Sequence, residues 1–451
     1  MNSLEQLAFN QNVLVRLPSD NLKIVELKPN GVLSLGKFGA CYVNDIIGYP
    51  LGTTFEIWYD GTETETVRGS SSVIGKVKVM DHRANTNAPG NSEASPQPAE
   101  LGNVESSKTN VNLFDMGHKV QKLEHQEIEK MKLDAVSGTD IISKMIESHG
   151  SFHQKTIQSQ EKYLKRKKQK FAKFFTVEYL GSSELLHFLL EKGDVMRVMD
   201  LAEESLGMIL NLANIHSGGK YLCMDETGGI VVYAMMERMF GGLEDDFEGT
   251  IVVLHENEHA NLDLLKFANY SPEFINKHVK TISILNYFEP PTLEEVNASF
   301  TPLDETQLRE LKSNKKGAYY RRLKRYQADL EMVKLSSDIS YDALVTASTL
   351  QLSTLIPRLS KNVHGSRPIV CYSQFREPLL ELSHCLYEQL DFLAPTLLET
   401  RCRPYQTIRG KLHPLMTMKS GGGFLMWTHK VIPAVDDGSL QNTAEVTETS
   451  E

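Results

Sequence analysis

The run from Gly218 to Met239, GGKYLCMDETGGIVVYAMMERM, constrains the architecture more than any other stretch. KYLCMD is too apolar to leave one face in water, so it predicts a buried strand. Gly228-Gly229 predicts a turn, and IVVYAMMERM a helix. A buried strand running through a glycine turn into a helix opens a βαβ unit, which needs a parallel partner strand beside the first. Suitable partners follow in TIVVLHE, KTISILNYF, DALVTAS and PIVCYS. Helical patterns near 231–239, 262–269, 352–360 and 378–392 separate them. This alternation predicts a Rossmann-like, mostly parallel α/β sheet with helices on both faces over 179–435. GGGFLMWTHKV supplies a final antiparallel strand and a candidate for sheet contacts between subunits.

The turn resembles that of S-adenosylmethionine-dependent methyltransferases, where a G-x-G-x-G pattern lets the backbone approach the cofactor. With Asp225 as the acidic residue before the turn, the glycine positions fall on Thr227, Gly229 and Val231. Two of the three carry a β-branched side chain. Methyltransferases also end the second strand with a carboxylate for the ribose hydroxyls. Leu254 or His255 stands in that place here, with Glu256 adjacent. The expectation is a degenerate methyltransferase fold that binds no cofactor. The competing reading is an active S-adenosylmethionine-dependent RNA methyltransferase with an atypical turn, working through Asp225, Gly228, Gly229 and Glu256.

Upstream, short alternating runs between Val13 and Tyr59, broken by turns such as Pro29-Asn30-Gly31, predict an all-β domain closed as a small N-terminal β-barrel over 1–60. Residues 61–110 are rich in Ser, Thr, Asn, Pro and Gly and predict a flexible insertion. A helical connector with a basic segment follows over 111–178, and the polar tail from 436 to 451 is expected to be disordered.

The formal net charge of -10 disfavours nucleic acid only if charge is evenly spread. It is not. In QEKYLKRKKQKFAKFFTV, a helix places Leu164, Phe171 and Phe175 on one face and cations on the rest. Lys162, Tyr163, Lys165, Arg166, Lys167, Lys168 and Lys170 are therefore candidate RNA contacts. A second cluster, Arg321, Arg322 and Arg325 among Tyr319, Tyr320 and Tyr326, lies in an insertion at 292–340. Guanidinium groups beside rings suit phosphates and unpaired bases. A solvated helix whose tyrosines pack on their own domain explains that cluster equally well.

Other classes fit poorly. No run approaches the roughly 18 apolar residues of a membrane span, and MNSLEQLAFNQN lacks the plan of a secretory signal, so an intracellular protein is expected. Five cysteines without CxxC spacing argue against a disulfide framework and a zinc site. His255-Glu256-Asn257-Glu258-His259 matches H-E-x-x-H, but the β-branched run before it puts the first histidine at a strand end, and no metal site is expected.

DIIGYPLGTTFEI (45–57), SQEKYLKRKKQKFAKFFTV (159–177), GKYLCMDETGGIVVYAMMERMFGG (219–242), YSQFREPLLE (372–381) and HPLMTMKSGGGFLMW (413–427), in this order, resemble the non-catalytic subunit of the eukaryotic methyltransferase that forms N1-methyladenosine at tRNA position 58. The resemblance implies a chain that is not itself an enzyme. It implies a heterotetramer of two such subunits and two catalytic ones, with S-adenosylmethionine on the partner. It further implies a nuclear location and tRNA as ligand, including initiator methionine tRNA. Catalytic members carry an Asp-Leu-Pro type motif after the fourth strand; here that place holds Thr346 to Thr349. Arg197, in GDVMRVMDLAEESLGMIL, matches a stretch that faces tRNA in the family and joins the candidates. A scaffold that only stabilises its partner is the third reading.

Overall fold

The computed structural model describes residues 5–59, 73–80, 123, 126–128, 131, 138–150, 152–155, 157–303, 308, 313–338, 340–408, 411–416 and 422–432. The chain divides into two compact units, Met1–Leu180 and Gly181–Glu451.

The first unit contains β1 (Asn12–Arg16), β2 (Leu22–Glu26), β3 (Val32–Ser34), β4 (Ala40–Tyr42), β5 (Thr54–Trp58), β6 (Lys76–Val79) and β7 (Phe174–Tyr179), with helices α1 (Gly138–Glu147) and α2 (Ile157–Phe171). Five strands form an antiparallel sheet in the order β2-β1-β7-β5-β6, and β3 pairs only with β4. The expected barrel is thus corrected to an open sheet among the described residues. Instead of closing on itself, the sheet buries one face under the β3–β4 hairpin and its flanking turns. Leu33, Leu35, Phe38, Val43 and Ile46 share a core with Val13, Val15, Phe55, Ile57, Phe175 and Val177. The Pro29-Asn30-Gly31 turn forms, with Asn30 at φ 55° and the Gly31 N–H donating to Lys28 O at 3.0 Å.

A second correction concerns α2. The helix ends at Phe171, and Phe175 lies in β7, opposite Phe55 with the rings 5.5 Å apart. FFTVEY alternates with the period of a strand, and pairing with both β1 and β5 overrides the helical reading. Leu164 and Phe171 do pack together, against Ile141, Ile142 and Met145. Within 61–110 only 73–80 is described, carrying β6; the tail from 436 lies outside the described residues.

The second unit begins with α3 (Ser182–Lys192) and α4 (Glu203–Leu212) and continues β8 (Lys220–Asp225), α5 (Ile230–Phe240), β9 (Thr250–His255), α6 (Pro272–His278), β10 (Val279–Ser283) and α7 (Ile284–Phe288). Next come α8 (Leu293–Ser299), α9 (Ser313–Ser337), β11 (Ala343–Ala347), α10 (Leu352–Leu359), β12 (Pro368–Ser373) and α11 (Arg376–Tyr387). The last strands are β13 (Thr396–Glu399), β14 (Tyr405–Ile408), β15 (Lys411–Pro414) and β16 (Phe424–His429). β14 and β15 pair with each other, and the remaining seven strands run β10-β9-β8-β11-β12-β16-β13. All neighbours from β10 to β12 are parallel, and β16 is antiparallel to both β12 and β13. Among the described residues, β16 is therefore an interior strand, paired on both sides. KTISILNYF is a strand only to Ser283, whose hydroxyl accepts from the Asn286 N–H and starts α7.

Strand order reverses between β8 and β11, which creates the crevice at the carboxyl ends of the strands where such sheets bind ligands. Tyr221 to Cys223 and Leu344 to Val345 are fully buried, as is α5 from Ile230 to Tyr233. That burial fixes the strand ends and the glycine turn as one rigid frame.

Candidate functional site

A cleft of about 210 Å³ opens at the ends of β8 and β9, with Met224, Asp225, Glu226, Leu254 and Glu256 in its lining. Asp225, the last residue of β8, turns inward. Its carboxylate accepts from the Thr227 N–H at 2.8 Å, the Thr227 hydroxyl at 2.5 Å and the Val232 N–H at 3.0 Å. It therefore closes the turn and caps the first turn of α5, as a capping side chain would. Burial pushes this carboxyl above its ordinary range while the three donors pull the other way, and burial together with Asp225 raises the Cys223 thiol well above its usual value.

Glu226 is tied as firmly. Its carboxylate accepts from the Ser348 hydroxyl, from the Thr349 N–H at 2.9 Å and from the Thr349 hydroxyl at 2.7 Å. Its own N–H donates to Ala347 O at 2.9 Å. The segment after β11 thus spends its polar groups on Glu226, and Thr346 is buried within β11.

The glycines of the turn face protein. Gly229 has φ +95°, and a Cβ there would stand 3.1 Å from Leu262 Cα. Gly228, at φ +74°, accepts from the Leu264 N–H at 3.0 Å through its carbonyl. Thr227 and Val231 are fully buried, so their β-branched side chains fill the turn from within. Arg197 lies on a short 3-10 turn, Val195–Val198. Its Nε is 3.9 Å from the position of a Gly228 Cβ, and its Nη2 is 3.9 Å from Asp263 Oδ2. A cofactor that needs this turn open and its carboxylates available does not fit these residues. Glu256 is exposed and makes no side-chain hydrogen bond among the described residues. His255 ends β9 and the chain to His259 is not helical, so the two histidines do not stand one helical turn apart.

The basic segments divide by burial. On α2, Lys162, Lys165, Arg166 and Lys170 are exposed, with Lys165 3.4 Å from Asp20. Lys167 and Lys168 are half-buried, and desolvation lowers the pKa of both, with Lys170 adding to the effect on Lys167. The Lys167 ammonium lies 5.1 Å from the Tyr163 ring centre. Tyr163 itself packs edge-on against His149 and Phe152 at 5.1 and 5.6 Å, so its ring is held in a cluster. On α9, Arg321, Arg322 and Arg325 are exposed. Tyr319 and Tyr326 pack on Phe300, each at 5.5 Å, and the Tyr326 hydroxyl donates to Asn297 Oδ1 at 2.8 Å. Those two tyrosines serve their own domain, and Tyr320 is the exposed ring. Sequence reasoning missed Glu226 and Leu262 as the groups that close the turn. The only sequence signal was the Ser348-Thr349 pair standing where a catalytic motif was expected.

A protein 75% identical over 97% of this chain and 95% of its own length is the tRNA (adenine(58)-N(1))-methyltransferase non-catalytic subunit TRM6 of Eremothecium gossypii. The protein of the same name from Kluyveromyces lactis is 61% identical over 99% of this chain and 92% of its own length. Among solved structures, a SAM-dependent O-methyltransferase from Thermotoga maritima is similar with TM-score 0.46 and 10% identity, over 96% of this chain and 98% of that one. The Gcd10p family model matches residues 6–312, and the chain belongs to that family.

Proposed function

We propose that this chain is the non-catalytic, tRNA-binding subunit of the methyltransferase complex that forms N1-methyladenosine at position 58 of tRNA. The observation that carries the reading is the closed turn: Asp225 and Glu226 are committed to internal donors in a chain whose close relatives are named non-catalytic. The methyl donor, S-adenosylmethionine, then belongs to a catalytic partner. Two subunits of each kind, a nuclear location and initiator methionine tRNA among the substrates complete the proposal, on the family resemblance.

The chain's task is to supply surface. The target adenine is engaged in tertiary pairing at the tRNA elbow, and exposing its N1 costs a few kcal/mol of unstacking. Phosphate contacts spread over two subunits offset that cost. Lys162, Arg166 and Lys170 on α2 support this role by their exposure, with Lys165 beside them; Arg197 and the α9 arginines Arg321, Arg322 and Arg325 are the further candidates.

Calorimetric titration of S-adenosylmethionine into this chain, into the partner and into their complex, each followed by methylation of tRNA, tests the proposal. Binding and methyl transfer in the complex, with neither in this chain alone, is the expected result. Methyl transfer by this chain alone would overturn it. A scaffold without tRNA contacts predicts instead that charge reversal at Lys165 to Lys168 leaves tRNA affinity of the assembled complex unchanged.

A further inference from the structure

The stretch YRRLKR in α9, from Tyr320 to Arg325, carries Arg321, Arg322, Lys324 and Arg325 around one apolar residue, Leu323. A helix segment this polar gains little from burial, so its place in the fold is set by what lies on either side of it. On one side Tyr319 packs on Phe300 at 5.5 Å, and its hydroxyl accepts from the Leu303 N–H at 3.1 Å. On the other, Tyr326 packs on the same Phe300 ring at 5.5 Å. Further along, Glu331 pairs with Lys280 at 2.9 Å, and Leu335 O accepts from the Tyr341 hydroxyl at 3.0 Å. Tyr319 and Tyr326 stand two helical turns apart, so they fix one face of α9 against its own domain. The residues between them are held in place by anchors at both ends.

At about 100° per residue, Arg321 and Arg325 fall on the side opposite the anchored face, and Tyr320 lies between the two. Tyr320 is 52% exposed. Among the described residues its ring meets one other ring, Tyr319, edge-on at 5.6 Å and 71°, and an edge contact leaves the face of a ring uncovered. Lys316 and Lys324 stand one turn before and one turn after it, each about 6 Å along the helix. One stripe therefore reads cation, ring, cation, and Arg321 and Arg325 form the stripe beside it.

Cations alone bind phosphate whatever the bases do, and a duplex keeps its bases stacked inside. A ring held among them adds a surface that only an unpaired base can use, since every base has a face that stacks. We propose that Tyr320 stacks one unpaired base of the bound tRNA while Lys324, Arg321 and Arg325 hold the phosphates around it. The inference rests on the tRNA-holding role and adds a contact that reads strandedness. It separates RNA with an unstacked base from RNA that offers phosphates alone.

The test uses the assembled complex, labelled tRNA and a labelled, fully paired RNA duplex of similar length, with fluorescence anisotropy measured from 50 to 300 mM salt. Tyr320→Ala should weaken tRNA binding about 5- to 150-fold, the range for loss of one base–aromatic stack. It should leave the slope of log affinity against log salt unchanged, because no charge is removed, and should bind the duplex as wild type does. Tyr320→Phe keeps the ring and should bind tRNA within about twofold of wild type. A Tyr320→Ala complex that binds tRNA as wild type does overturns the proposal. So does one that loses tRNA and duplex alike, or a Tyr320→Phe complex as weak as Tyr320→Ala. Replacing Lys162, Arg166 and Lys170 of α2 by alanine in the same assay separates the two levels. If that variant weakens tRNA binding and Tyr320→Ala does not, the stacking contact fails and the tRNA-holding role stands; if neither weakens it, both fail.

Discussion

Replacing Lys162, Arg166 and Lys170 together by alanine isolates the electrostatic role of α2. These three recur every four residues, along one stripe about 12 Å long on a helix rising 1.5 Å per residue. All three are exposed, so the triple variant should keep its stability to within about 0.5 kcal/mol per site. Each phosphate contact contributes about 0.7–0.9 to the slope of log affinity against log salt. At 0.15 M salt that corresponds to a factor of about 4–5.5 per contact, so losing three should weaken tRNA binding about 50- to 170-fold and reduce the slope by about 2–2.7. Fluorescence anisotropy of labelled tRNA with the assembled complex, from 50 to 300 mM salt, measures both quantities. Lys167→Ala serves as contrast. Its ammonium lies over the Tyr163 ring and its chain is half-buried, so it should lower the melting temperature while changing the slope little. A triple variant with wild-type slope would refute the assignment of α2 to tRNA.

Asp225→Ala leaves the Val232 and Thr227 N–H groups without their buried acceptor and should cost about 3 kcal/mol in urea denaturation of the chain. Gly229→Ala combines a left-handed backbone with a contact of 3.1 Å to Leu262 Cα and should cost about 2–3 kcal/mol. Gly241→Ala, at φ +60° with open space around it, should cost about 1 kcal/mol by the same measurement. Tyr326→Phe removes a hydroxyl that serves Asn297 and should leave tRNA affinity unchanged, whereas Arg321→Ala with Arg325→Ala should weaken it several-fold in the anisotropy assay.

The parallel sheet was legible because its strands are written as unbroken apolar runs. KYLCMD, TIVVLH and PIVCYS all fall where they were expected, since a strand buried on both faces has no alternative reading at that length. FFTV, the start of the strand FFTVEY, was misread as the end of a helix because the preceding basic run imposes helical spacing up to Phe171, and what ends it is tertiary pairing with β1 and β5. The barrel was overdrawn for a similar reason. Alternation tells a strand from a helix, but whether a sheet closes depends on which strands pair, and among the described residues β3 pairs only with β4. At the site, the β-branched residues Thr227 and Val231 were legible in the sequence, and both are fully buried in the turn. The partners of Glu226 were not, because Ser348 and Thr349 lie more than 120 residues away and meet it only through the neighbouring positions of β8 and β11.

The contacts around the turn supply from within the protein the partners that a ligand supplies in doubly wound sheets that bind one. In a ligand-binding version of this crevice, the carboxylates at the strand end and the N–H groups of the turn await an external partner, and each unpaired group lowers the stability of the free protein. Here Asp225 accepts from the Thr227 N–H in the turn and the Val232 N–H in the first turn of α5, and Glu226 bonds to the segment that follows β11, so the two strands on either side of the reversal point are cross-linked by side chains. Leu264 closes the remaining carbonyl of the turn from the other side. These bonds hold the geometry that a ligand would otherwise complete. Rigidity of the frame and commitment of both carboxylates thus follow from one set of contacts. Reopening the turn by removing the side chains of Thr227 and Val231 alone would leave Glu226 bound across the crevice and Leu262 against Gly229, so the site is closed by its neighbours as much as by its own sequence.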